Sequence, residues 1–318
     1  MRTGIRPQRS PQIPAPAREA GVAAFAVTAV VVTAAVCLLA ACSATVSSGG
    51  HPSPPPATSR PGSTGHVTVP ADGHLTWLLT RSALAQLVAD PSVRAELRAA
   101  QVYEILQPGQ QPLTGFAARS VVTFASAAAL ESAVNAGQIP PGTWGVLYDP
   151  EAWSFTPVAE QRNPVLAATQ AAAVAHANGL QLIVTPALNL TTVLQPGSAQ
   201  PRWQQFLDLD LVGHLARVAD VIELQAQSLE RDSGTYAGFV EAAAAQATDA
   251  NPAVTVLAGL STNPPGAAVS SQHLTAAIQA TRSKVAGYWL NIPGQGPRCP
   301  TCNAPRPDIA IQTLQALS

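Results

Sequence analysis

Two carboxylates, Asp149 and Glu151, close the apolar run GVLYDPE (145–151), and Trp153 follows them. Two steps along an extended chain return a side chain to the same face, so the pair enters one space. Like charges held that close do not both ionise cheaply, and the more buried of the two is expected to keep its proton near neutral pH. A carboxyl in that state is a general acid. Other polar groups stand at comparable places. Glu223, Gln225 and Gln227 alternate along ELQAQ, Trp289 and Asn291 alternate along GYWLNI, and Asn189 follows the run LQLIVT. Amides donate and accept hydrogen bonds but cannot supply a proton, so acid chemistry falls to the carboxyls.

Something must bring these segments together. Apolar, β-branched runs bounded by turn residues recur at 75–80, 102–106, 121–125, 145–149, 180–185, 221–225, 254–259 and 287–292. Their near-continuous apolarity predicts strands covered on both faces, as in a parallel sheet. Between most of them Ala and Leu recur at three- and four-residue spacing, at 82–100, 126–137, 164–179, 200–220, 236–250 and 270–284, with a last helix over 307–317. Gly137 and Gly179 stand where helix C-caps belong. Eight strands alternating with helices over 71–318 predict an α/β fold, a (β/α)8 TIM barrel, with a doubly wound open sheet as the alternative. The segment 107–120 has too many turn residues for a helix, so either the second crossover is irregular or the second strand is misassigned. In such a barrel the strand C-termini build the active site, which is where Asp149 and Glu151 fall.

The fourth run resembles glycoside hydrolase family 18, the chitinase-like barrels, whose fourth strand ends in a DGxDxDxE pattern. Residues 144–151 read WGVLYDPE: Gly145, Asp149 and Glu151 match, while Trp144 and Leu147 replace the first two aspartates. The resemblance implies that Glu151 protonates the glycosidic oxygen and that Asp149 orients it and the substrate's N-acetyl group. It also implies that Trp289, on the eighth run, floors the sugar site. With Asn291, Gln225, Gln227 and Glu223 completing the wall, the implied ligand is a carbohydrate. The sixth strand departs from the family, which carries a Tyr and Asp pair there. The seventh run ends without a carboxylate, so an ordinary retaining pair lacks its second member unless Glu223 supplies it. Substrate-assisted hydrolysis needs only the acid. A barrel that keeps carbohydrate or ligand binding without turnover is the alternative, and a surface protein with a structural role is the third. Both carboxylates also fit scaffold roles, Asp149 capping the helix that follows and Glu151 pairing with Arg162.

The N-terminus supplies an address. Arginines precede an apolar run over 21–41 that ends LLAAC. This is the pattern of a secretory signal, and Leu39–Cys42 resembles the bacterial lipobox, in which the residue at Cys42 takes the lipid. An uncleaved membrane anchor is the competing reading. Residues 1–41 are thus expected to be signal, 42–70 a Ser/Pro/Gly tether reaching about 30 Å, and 71–318 the barrel. The expected location is the outer face of the cytoplasmic membrane, with lipid at Cys42 as the membrane contact.

The remaining chemistry narrows quickly. Charged residues make up 11% of the chain and the net charge is -1, with no basic block, which argues against nucleic acid. Cys299 and Cys302, in CPTC, are expected to form a short-loop disulfide outside the cytoplasm. No second cysteine pair or spaced histidines complete a metal set, and no glycine-rich phosphate loop is present, so neither metal nor cofactor is expected.

Overall fold

The computed structural model describes residues 74–264 and 268–317. The signal, the lipobox with Cys42 and the tether lie outside the described residues. Eight parallel strands form one ring, β1 (Thr76–Thr80), β2 (Val102–Leu106), β3 (Arg119–Phe124), β4 (Gly145–Tyr148), β5 (Gln181–Val184), β6 (Val221–Leu224), β7 (Thr255–Ser261) and β8 (Gly287–Asn291), each paired with the next. The ring closes where β8 pairs with β1 through Trp77↔Tyr288 and Leu78↔Trp289. It is a (β/α)8 barrel, which excludes the open doubly wound sheet.

The helices form where the sequence supplies both an apolar stripe and a cap. α1 (Arg81–Leu87) and α2 (Pro91–Ala99) divide the predicted 82–100 segment. The divide is Asp90, which accepts from the backbone of Ser92 and Val93, followed by Pro91 at the first helical turn. α3 (Ala127–Asn135) is capped by Ser126, and α4 (Val158–Arg162) and α5 (Pro164–Ala177) follow β4. After β5 come α6 (Thr191–Leu194), α7 (Arg202–Asp208) and α8 (Leu211–Ala216). The last two are separated at Asp210, whose φ of 45° no helix tolerates. α9 (Ser233–Ala250), α10 (Ser271–Thr281) and α11 (Pro307–Gln315) complete the outer layer.

The second crossover is irregular. No helix lies between β2 and β3, and the reason is on β2 itself. Glu104 alternates with the inward residues Tyr103 and Ile105, so it faces the side where a helix would pack. Buried there, it accepts a hydrogen bond of 2.8 Å from the Leu113 backbone N–H, binding the loop in a helix's place.

Two apolar layers result from strand alternation. One fills the space between barrel and helices, with Val146, Tyr148, Ile222 and Leu224 among its strand residues. The other fills the barrel's interior with Leu78, Tyr103, Ile105, Val121, Leu147, Ile183, Val221, Leu257 and Trp289. Leu147 is inward, so the side chain two residues on, Asp149, enters the barrel mouth.

Candidate active site

Asp149 lies one residue beyond β4 and is held by its neighbours on both sides of the chain. Its backbone N–H donates to Phe124 O at 2.9 Å. Its side chain is 5% exposed, and Oδ1 accepts from Thr185 Oγ1 at 2.8 Å and from Gln225 Nε2 at 2.9 Å. The same Gln225 nitrogen donates to Thr185 O at 2.9 Å. Ends of β4, β5 and β6 are thereby tied through one carboxylate. Gln225, expected in the sugar wall, has its amide nitrogen committed to Asp149.

Glu151 sits on a loop that is locked by a second network. Thr156 Oγ1 accepts from the Glu151 backbone N–H at 3.3 Å and from Trp153 Nε1 at 2.8 Å, and donates to Ala125 O at 2.8 Å. Gln161 Nε2 donates to Trp153 O and Thr156 O at 2.8 and 2.7 Å. Among the described residues the Glu151 carboxylate accepts only from Asn189 Nδ2, at 3.3 Å, while Asn189 Oδ1 accepts from the Ala152 N–H. Neither scaffold role foreseen for the pair occurs. Near this loop it is Glu160 that meets a helix start, accepting from Ser126 Oγ and the Ala127 N–H at α3 and from Tyr148 Oη.

These unequal surroundings shift the two acids by different amounts. Burial, then the charge of Asp149, pushes Glu151 up to about 8, with Asn189 and Arg298 opposing. Burial also raises Asp149, but only to about 6, because Thr185, Arg298 and Gln225 stabilise its ionised form. The more buried acid was expected to keep its proton; burial raises both, but the rise is larger at the less buried Glu151, where the charge of Asp149 adds to burial, while Thr185, Arg298 and Gln225 hold Asp149 lower.

A third carboxyl joins them. Glu223 points inward from β6, is fully buried, and neither of its oxygens has a hydrogen-bond partner among the described residues. Burial, then the charges of Asp149 and Glu151, drives it well above the usual carboxylate range. Its space exists because residue 259 is glycine: a Cβ there would overlap Glu223 Oε1 and the Gln227 amide. Glu230, in SLERDSG after β6, stands in no motif that marks it. Nearly fully buried, it accepts from the Ser228 N–H and from the Ser261 N–H at 2.8 Å, and burial raises it to about 7.

The mouth is divided into two adjoining cavities. One, of about 410 Å³, is lined by Asp149, Glu151, Trp153, Trp289 and Asn291, with Thr80 and Thr123 beside them. The other, of about 380 Å³, is lined by Glu151, Trp289 and Asn291 again, with Asn189, Gln225 and Gln227. The structure therefore brings every sequence-expected site residue except the buried Glu223 onto one of these two walls. Trp289 is 8% exposed, and its Nε1 has no hydrogen-bond partner among the described residues. A separate hollow of about 510 Å³, lined by Thr262, Asn263 and Arg306 among others, has no carboxyl among the described residues of its wall.

A hairpin reaches over the mouth. Gly296 and Cys299 exchange backbone hydrogen bonds of 3.0 and 3.2 Å, so Pro297 and Arg298 form its two-residue tip. Cys299 is disulfide-bonded to Cys302. Arg298 lies 5.6 Å from the Trp153 ring centroid and 6.0 Å from that of Phe155. The two family aspartates that this chain lacks are replaced by packing. Leu147 is in the interior layer, and Trp144 stacks on Tyr103 at 4.7 Å with Arg119 above it. Among the described residues no cluster of His, Cys, Asp and Glu could hold a metal ion.

No protein-family model matches the chain, and no curated protein matches it. Among solved structures, a chitinase from Chromobacterium violaceum is similar at 13% identity, covering 76% of this chain and 99% of that one, with a TM-score of 0.43. The catalytic domain of a family 18 chitinase from the fern Peteris ryukyuensis is similar at 12% identity, covering 68% and 90%, with a TM-score of 0.42. An α-L-fucosidase candidate from Bacteroides thetaiotaomicron is 11% identical over 51% of this chain, which spans about half, 53%, of that one, at a TM-score of 0.36. Likeness at this level carries nothing about substrate.

Proposed function

We propose that the barrel hydrolyses a carbohydrate by a substrate-assisted route, with Glu151 as proton donor. The observation that carries the reading is the placing of Glu151, Asp149 and Trp289 around one cavity at the C-terminal mouth, where burial and the charge of Asp149 push Glu151 up to about 8. Glu151 gives its proton to the glycosidic oxygen as the bond from that oxygen to C1 breaks. The carbonyl oxygen of the sugar's own N-acetyl group bonds to C1, and Asp149, ionised, accepts the hydrogen bond of the amide N–H and favours the cation that forms. Water, losing a proton to Glu151, then opens the ring. Glu223 stays neutral in the interior and takes no proton from substrate.

Leu147 and Trp144, apolar where the resembling family has aspartates, favour one second reading, binding without turnover. Aryl glycosides of N-acetylhexosamine separate the two. Turnover by the wild type that Glu151→Gln abolishes supports hydrolysis, whereas equal silence with retained oligosaccharide binding leaves the binder. The proposed address rests on the LLAAC motif. Fatty-acid label that the wild type incorporates and Cys42→Ser loses supports it, and wild type that takes up no lipid overturns it.

A further inference from the structure

The two cavities that share Glu151 differ in charge. The one against Trp153 is bounded by Asp149, Glu151 and Arg298, so its single cation faces two carboxyls. The other is bounded by Arg202 and Arg298, with Glu151 as its only carboxyl. Both arginines are exposed, and among the described residues neither forms a salt bridge with a carboxylate. They come from separate elements, Arg202 from the first turn of α7 and Arg298 from the tip of the hairpin that Gly296 and Cys299 close, next to the Cys299–Cys302 bond.

From this placement we infer that the protein takes an acidic glycan, seating a sugar that bears an oxyanion in the cavity between Arg202 and Arg298. The neighbouring N-acetylhexosamine then lies against Trp153 and Trp289, and the bond between the two sugars crosses Glu151. The inference rests on the proposed carbohydrate reading and specifies its substrate class. Guanidinium groups present a planar fork that matches carboxylate or sulfate oxygens in pairs. Arg298 sits on a short closed hairpin above two aromatic rings, so little freedom is lost when it binds. Gln227 supplies the same cavity with an amide for hydroxyls, and Gln225, its nitrogen held by Asp149, adds a carbonyl oxygen as acceptor. Because Glu151 is protonated near neutral pH, it does not repel the anion it faces.

Binding tests this without relying on catalysis. Glu151→Gln would be titrated calorimetrically with a hyaluronan tetrasaccharide, the same tetrasaccharide with its carboxyls reduced to alcohols, neutral chitotetraose, and 6-O-sulfated chitotetraose. Binding of the carboxylated or the sulfated probe at least about tenfold tighter than its neutral counterpart supports the inference, and the stronger of the two identifies the oxyanion. That preference is expected to fall in Arg202→Gln/Arg298→Gln and to shrink in 0.5 M salt, since exposed charges are screened. Equal binding of charged and neutral probes, a preference unchanged in the double variant, or no binding of any probe overturns it. Hydrolysis is judged separately on the wild type. Turnover of neutral chitotetraose without charge preference sinks the acidic substrate and leaves the catalytic reading standing, while selective acidic binding without turnover does the reverse.

Discussion

The lower and upper halves of the barrel's interior are built on opposite principles. Toward the strand N-termini the inside is Leu78, Tyr103, Val121, Leu147, Ile183, Val221 and Leu257, apolar or aromatic and closely packed. Toward the C-termini the same inward rows continue as Asp149, Thr185, Glu223, Gln225 and Ser261, and three of the nearby acids, Asp149, Glu151 and Glu223, sit where burial disfavours their charge. Nothing in the strand backbone distinguishes the halves. One half gains stability from dispersion and water exclusion. The other gives up stability for groups whose protonation is poised, which is the usual signature of chemistry rather than scaffolding.

Substitutions can break that contrast, and the largest effect is expected from the acid. Glu151→Gln should lower turnover of an N-acetylhexosaminide by about 10²- to 10⁴-fold, the range for a lost general acid, while its melting temperature stays level or rises. A variant with unaltered rate would move the chemistry elsewhere. In the lower half the reverse is expected. Ile183→Ala, in a fully buried site, should cost about 2–5 kcal/mol in denaturant unfolding and leave the rate per folded molecule nearly unchanged.

Glu223→Gln sharpens the contrast at intermediate size. The folded carboxyl is raised above its unfolded value, so the stability available to the wild type is full below that unfolded value, about 4.3, and is lost progressively as pH rises toward the folded one. Glutamine has no such loss. Thermal melts of the two proteins should therefore coincide more nearly at pH 5 than at pH 9, where the variant should be the more stable by a few degrees. A gap that does not widen with pH would show that Glu223 has a partner in solution.

The smallest effect concerns pH. With Asp149 required ionised at about 6 and Glu151 protonated up to about 8, kcat/KM should be bell-shaped between those limits. Gln225→Leu removes a donor to the Asp149 carboxylate, so Asp149 should titrate higher and the acid limb should shift upward by less than about one pH unit, with the alkaline limb nearly fixed. An acid limb that stays in place would dissociate it from Asp149.

Much of this was legible before any coordinates. The eight strands begin and end within two residues of the apolar runs that predicted them, because a strand covered on both faces leaves an unbroken apolar record. Two helical segments were read as continuous where the chain breaks at Asp90–Pro91 and at Asp210, since periodicity on either side of a break looks the same as periodicity through it. The irregular loop after β2 was visible from its turn residues, but its anchor, Glu104, was not. Glu230 and Arg298 were missed for a related reason: both lie in turn-like stretches whose local sequence says nothing of the strand end or cavity they meet.

The order of residues was enough to put Asp149 on an inward row at a strand end, because alternation along a strand is a local property of the backbone; Glu151, on the loop beyond β4, reaches the same cavity through the contacts of that loop. What separates their proton affinities is the support that Thr185 and Gln225 give the Asp149 carboxylate, from β5 and beyond, through hydrogen bonds that exist only after the ring has closed. The same holds for the pairing of Arg202 with Arg298 across one cavity. Charge and hydrogen bonding act through space, and distances between segments far apart in sequence are set by the closed barrel alone.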